Sequence, residues 1–184
     1  MSTRCHIIVE DQKYDERTIL YRHSDGYPDG KHGVLATLVP FVARFIKHRG
    51  FDACYMGAQI MCDQINQARS YSRAYRKERL KKLYADGYSR NHRLAKLARE
   101  DIKNVDNDFL GFGISSDIHG DVEFIYRVTR EGIHVEYPNG EKLTTDAEAA
   151  AMLTGEIPEG FREVVEVTVV DTPADPGSLA YLNR

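Results

Sequence analysis

Thirteen consecutive residues, Tyr21-Arg22-His23-Ser24-Asp25-Gly26-Tyr27-Pro28-Asp29-Gly30-Lys31-His32-Gly33, hold an Arg, a Lys, two His, two Asp and three Gly. Such groups bind anions, move protons or ligate metals, and loops held on a rigid scaffold are where they collect. The first chemistry they suggest is anion binding. Glycine N–H groups ahead of a helix N-terminus make a cradle for phosphate, and Arg22 and Lys31 add positive charge. The spacing Gly26-x-x-x-Gly30-Lys31-His32 is one residue short of a P-loop, and His32 stands where a metal-binding Ser or Thr belongs. A nucleotide-hydrolysing P-loop is therefore excluded. The expected ligand site is Arg22, His23, Asp25, Gly26, Gly30, Lys31 and His32, joined by His119 from a second loop. The same glycines, with Pro28, Asp25 and Asp29, also suit tight turns whose carboxylates bond to backbone.

Acid–base or metal chemistry is the second option. His23-Ser24-Asp25 and His119-Gly120-Asp121 are two H-x-D loops that can face each other across a sheet end. The chain has no H-E-x-x-H, no Ser nucleophile elbow and no Cys–His pair in a known context, and a single H-x-D equally builds a capped turn. No residue is assigned a catalytic or metal-ligating role, and no cofactor is expected.

The third option is a charged surface. Between Arg69 and Lys103, twelve Lys or Arg stand against four acids, a balance of +8, whereas the rest of the chain carries 13 against 24, a balance of −11. Arg69, Arg73, Arg76, Lys77, Arg79, Lys81, Lys82, Arg90, Arg93 and Lys96 alternate with Tyr71, Tyr75, Tyr84 and Tyr88. Cations neutralise phosphates and tyrosines stack on bases, so nucleic acid is a fitting partner; an acidic protein surface is another. A break at Asp86-Gly87-Tyr88-Ser89 gives the segment a helix-turn-helix character. Lys and Arg are also good formers of solvated helices.

Elements must position these groups. The β-branched runs Cys5 to Glu10 and Thr18 to His23 predict a hairpin that ends at the polar loop. Apolar residues at 34/35, 38, 41/42 and 45/46 predict a helix closing at Lys47-His48-Arg49-Gly50, and Pro40 predicts a kink or a start nearer Thr37. Asp52 caps a second helix to Ile65, with Met56, Ile60, Met61 and Ile65 on one face. Residues 69–104 read as a basic helical arm inserted between core elements, with Leu94, Leu97 and Ala98 as its apolar edge. Strands follow at Phe109–Ser115, Val122–Val128 and Ile133–Tyr137, the first two joined by a hairpin-like connector at 116–121. Thr145 and Glu148 form a capping box on a short helix, Arg162–Val170 reads as a last strand, and the tail from Pro173 is expected to be loose. The fold expected is a single α+β domain: an antiparallel or mixed sheet covered on one face by helices, with the basic arm projecting.

A length of 184 residues, 42% hydrophobic and 29% charged, excludes a disordered chain. No apolar run reaches the length of a signal core or a membrane span, so a cytoplasmic protein without a membrane partner is expected. Cys5, Cys54 and Cys62 fit no disulfide framework; Cys54 and Cys62 are separated by about 12 Å of helical rise and are expected to be buried thiols.

The opening Ser2-Thr3-Arg4, the run Tyr21-Arg22-His23-Ser24-Asp25-Gly26-Tyr27-Pro28-Asp29-Gly30 and Gly33 resemble a family of small bacteriophage and prophage proteins sharing a Y-R-H-x-D-G-Y-P-x-G signature. The resemblance covers about the first fifty residues and, more weakly, Gly111 to Tyr126; the arm has no counterpart in it. It implies a context, the cytoplasm of a host cell, and proteins that act on host machinery or disarm host defences. The preferred reading is a non-catalytic binding protein of this kind, expected to be a homo-oligomer, that engages a small anionic nucleotide-like ligand or a host protein. A nucleic-acid-binding protein working through the arm is the first alternative, and a small hydrolase using the H-x-D loops the second.

Overall fold

The computed structural model describes residues 3–30, 32–107 and 111–162. Lys31, Phe109, Leu110, all but the first residue of the expected strand Arg162–Val170, and the tail lie outside the described residues. Strand β1 (Cys5–Asp11) turns through Asp15 into β2 (Glu16–Arg22), as the paired β-branched runs predict. Strands β3 (Phe112–Ser115), β4 (Phe124–Val128) and β5 (Ile133–Glu136) complete a five-stranded mixed sheet of order β3-β2-β1-β4-β5. Among the described residues, only the β1–β4 pair is parallel.

The connector at 116–121 is not a hairpin. β3 pairs with β2 and β4 with β1, so residues 116–123 cross the sheet over the two central strands. The crossing is fixed by Glu123 N–H on the Arg4 carbonyl (2.9 Å), an Arg4–Asp121 ion pair (2.7 Å) and Val122, buried against Ile8, Ile19 and Ile125.

Register assigns the two faces. Leu20, Ile7, Tyr126 and Val135 stand opposite one another and point into the main core; His6, Ile8, Ile19 and Tyr21 point the other way. Helix α1 (Val34–Arg49) covers the core face with Val34, Leu35, Leu38, Val39 and Val42 and ends where Gly50, at φ 82°, leaves the helix. Pro40 lies within it, so its start at Val34 precedes the alternative at Thr37. Helix α2 (Ala53–Ala85) starts on Asp52, whose carboxylate accepts the Tyr55 N–H at 3.0 Å. Met56 and Ile60 bury against the sheet, each fully buried side chain contributing roughly 1.5–3 kcal/mol. Gly57 lets the helix approach β2, since a Cβ there would come within 2.6 Å of the Thr18 side chain. Helix α4 (Asp146–Met152) extends the same layer, with both halves of the Thr145/Glu148 capping box formed.

The helix expected to end near Ile65 continues unbroken to Ala85, thirty-three residues or about 50 Å. Its outer half is one side of the arm, and α3 (Arg93–Lys103) is the other. The pairs Tyr84–Arg99, Arg76–Asp101 and Arg73–Asp106 run in opposite sequence order, so α3 returns antiparallel along α2 instead of crossing it as a helix-turn-helix would. Ala95 and Ala98 make the close contact of α3, while Leu94 and Leu97 are exposed; small side chains let the helix backbones approach. Among the cysteines only Cys5 is buried. Cys54 and Cys62 are exposed, because the buried face of α2 runs through Met56 and Ile60.

Candidate ligand-binding cleft

A cleft of about 630 Å³ opens where the end of β2, the polar loop and the middle of α2 meet, with Gly111 and Phe112 at its edge. Its inner end is a chain of hydrogen bonds. Arg22 Nη1 donates to Gln64 Oε1 (2.8 Å), and Gln64 Nε2 donates to Thr37 Oγ1 (2.7 Å), which donates to the Val34 carbonyl (3.0 Å). Arg22 Nε donates to the Ser24 carbonyl (2.8 Å), Nη2 makes a long contact to the His32 carbonyl (3.4 Å), and the guanidinium lies 5.7 Å from the Phe112 ring centre. Its hydrogen-bond partners are neutral, and none of the ion pairs among the described residues includes it. Four rings line it, Tyr27, Phe112 and a His32–Tyr71 pair with ring centres 4.5 Å apart, alongside the polar Ser24, Asp25, Gln67 and Ser70. Burial, then the negative charge of Asp25, raises the Tyr27 phenol above its usual range, so it stays a neutral donor at physiological pH.

The loop does not present the expected phosphate cradle. It folds back over the start of α1, where the Tyr27 and Pro28 carbonyls accept the Val34 and Leu35 N–H groups (2.9 and 3.4 Å) and Gly33 N–H bonds to the Gly30 carbonyl (3.1 Å). Gly33 is required for this closure, because a Cβ there would lie 2.0 Å from the Asp29 carbonyl oxygen. The Val34 and Leu35 donors at the helix start are thus already satisfied, and among the described residues the Arg or Lys side chain that lines the cleft is Arg22.

Of the residues singled out in the sequence, Arg22, Asp25 and His32 line this cleft. Gly26 is structural. Its N–H bonds to the Thr3 carbonyl (3.0 Å), its carbonyl accepts the buried Tyr126 hydroxyl (2.8 Å), and a Cβ would strike Arg4 and Cys5. Gly30 takes φ 76° in open space, and Asp25 holds φ 54°. Lys31 lies outside the described residues.

No protein-family model, curated protein or solved structure matches this chain.

His23 and His119 belong to the sheet face that the described helices leave uncovered, with Tyr21 between them: its ring centre is 5.0 Å from His119 and 6.3 Å from His23, and its hydroxyl is 3.1 Å from His23 Nδ1. His6, fully buried beneath, has a fixed tautomer. Nδ1–H donates to the Leu20 carbonyl (3.1 Å), leaving Nε2 to accept the His119 N–H (3.0 Å). Burial lowers its pKa. Ser115 Oγ lies 3.0 Å from His119 Nε2, but its proton goes to the Asp117 carbonyl (2.5 Å), so the serine caps a turn and is not set up as a nucleophile. Asp121 pairs with Arg4, and Asp25 lines the cleft.

The arm separates its cations into two sets. Arg69, Arg73 and Arg76 turn inward to Asp106 and Asp101, and Lys81 pairs with Glu78 (2.9 Å). Lys77, Arg79, Lys82, Arg90, Arg93 and Lys96 are exposed and take part in no ion pair among the described residues.

Sequence reasoning did not single out Thr37, Gln64 or Phe112, and it assigned Tyr71 to the arm alone. Gln64 carried a readable signal: it falls four residues after Ile60 on the buried face of α2, where a glutamine must find polar partners.

Proposed function

We propose that the protein is a non-catalytic binding protein of bacteriophage type whose cleft takes a small anionic, nucleotide-like ligand. One observation carries this reading: the Arg22 guanidinium, without a carboxylate partner among the described residues, lines a cleft together with the rings of Tyr27, His32, Tyr71 and Phe112. A charge-assisted bond to phosphate and a ring stacked between aromatic side chains are complementary to those two features. The cleft volume falls within the range of small-molecule sites, and Asp25 and Ser70 offer polar partners for a sugar or base. The phage-like signature adds context: its residues Arg22, Asp25 and Tyr27 line the cleft, while Gly26 and Gly30 shape the loop beside it.

Thermal unfolding with a panel of mononucleotides, dinucleotides and cyclic nucleotides tests the reading. A ligand at a hundred times its Kd stabilises by about 2.7 kcal/mol, a rise in Tm of about 5–11 °C for a chain of this size. Arg22→Ala and the surface variant Tyr71→Ala are each expected to remove the shift. No shift with any nucleotide, together with a native mass spectrum of the protein from its host that shows no retained anion, would overturn it.

A further inference from the structure

The face of α2 that lines the cleft continues past its rim. Gln64, Ala68 and Tyr71 line the cleft, and steps of four, four and three residues carry the same side of the helix out to Tyr75, Arg79 and Lys82. The opposite side, with Arg69, Arg73 and Arg76, is turned to α3 and Asp106, so α3 leaves this stripe uncovered. Tyr71 and Tyr75 are 54% and 62% exposed, an unusual state for two large rings one turn apart. Arg79 and Lys82 beyond them are exposed and make no ion pair among the described residues; Glu78, the one acid beside them, is neutralised by Lys81. Aromatic platforms in line with free cations fit bases and phosphates in succession.

Tyr71 is a member of both features: it closes on His32 in the cleft and begins the stripe. The Arg22–Gln64–Thr37 chain lies among the lining residues, and because Gln64 is buried while Tyr71 is exposed, the cleft deepens from Tyr71 toward Arg22 and Gln64. We propose that cleft and stripe form one site for the end of a single-stranded nucleic acid. The terminal nucleotide occupies the cleft with a phosphate at Arg22, the next bases stack on Tyr71 and Tyr75, and the following phosphates meet Arg79 and Lys82. This rests on the cleft reading above and names its ligand class. From Tyr71 to Lys82 the helix rises about 16 Å, room for up to about five nucleotides at the ~3.4 Å stacked spacing.

The test is calorimetric titration of the full chain with a mononucleotide, with single-stranded RNA and DNA of two, four, six and ten residues, with a blunt duplex and with polyglutamate. Affinity is expected to rise at least tenfold from mononucleotide to hexamer, to level off beyond it, and to be at least tenfold weaker for duplex and polyglutamate. Two phosphate contacts on the stripe predict about a sevenfold loss of the length-dependent gain between 50 and 200 mM salt. Arg79→Glu/Lys82→Glu and, separately, Tyr75→Ala are expected to bring hexamer affinity down toward that of the mononucleotide; these are exposed positions, and circular dichroism confirms folding. Equal affinity for mononucleotide and hexamer, indifferent to these substitutions, overturns the continuous site while leaving the cleft reading intact. Oligonucleotide binding unaffected by Arg22→Ala or Tyr71→Ala, or matched by polyglutamate, overturns entry of the strand end into the cleft. Absence of binding by every probe removes both readings.

Discussion

Arg22 on β2 and Gln64 on α2 are joined side chain to side chain at 2.8 Å, and Gln64 extends the connection to Thr37 on α1. Three elements thus share one polar seam beside an apolar core. Gln64→Leu keeps the volume but leaves Arg22 and Thr37 each short of a partner. It is expected to destabilise by about 1–3 kcal/mol and to weaken any ligand held by Arg22. An unchanged urea midpoint would show that the seam adds nothing to stability.

Gly57 presents two opposed effects. Alanine in mid-helix gains about 0.5–1 kcal/mol over glycine from propensity alone. Its Cβ would lie 2.6 Å from Thr18 Cγ2 and 2.7 Å from Thr18 Cβ, well inside contact distance. Overpacking of this kind costs about 1–3 kcal/mol, so Gly57→Ala is expected to be a net loss. Thr18→Ala in the same chain should restore part of it, which a double-mutant cycle in denaturant measures.

His6 makes stability depend on pH. Its ring is neutral in the fold, and a second proton would have to enter at Nε2, the atom that receives the His119 N–H. Burial lowers its pKa below 6.5, with opposing contributions from His119, which lowers it, and Asp121 and the Leu20 carbonyl, which raise it; Tyr21 packs against the same ring. Below about 6.5 the unfolded chain therefore binds a proton that the folded chain refuses. The contribution is complete above that value and is lost as pH falls through the depressed folded value. Urea unfolding at pH 7.5 and 5.5 should show a larger drop for the natural chain than for His6→Phe; equal drops would exclude His6 as the source.

The thiols should differ in reactivity. Burial pushes the Cys5 thiol up to about 12, only partly offset by Arg22, and leaves it no access to solvent. Cys54 and Cys62 are exposed. Under native conditions iodoacetamide is expected to modify two of the three cysteines, the third reacting only after unfolding. Intact-mass measurement reads the outcome, and three rapid modifications would contradict the burial of Cys5.

Local patterns that depend on neighbouring residues were legible in the chain. The β1–β2 hairpin, the Asp52 cap, the Gly50 stop and the Thr145/Glu148 box all follow from side chains within a few positions of one another. The α+β class followed from their order. Strand pairing across long separations was not legible, so the connector at 116–121 reads as a hairpin although β1 and β2 lie between the strands it joins. The cleft was half visible. Arg22, Asp25 and His32 drew notice by composition, whereas Gln64, Tyr71 and Phe112 reach them only through tertiary packing. The loop's glycines depart from a phosphate cradle for a physical reason: the Gly33 N–H is taken by the Gly30 carbonyl and the Gly26 N–H by the Thr3 carbonyl.

Because α2 is one uninterrupted helix from the sheet to the tip of the arm, the arm is a ruler anchored at its zero mark. Removing seven residues from its outer half and a matching stretch of α3 shortens it by about 10 Å while keeping the remaining side chains close to their original bearing. Length beyond the cleft is thus a quantity that can be varied without disturbing the sheet, and the reach of whatever the arm touches should scale with it.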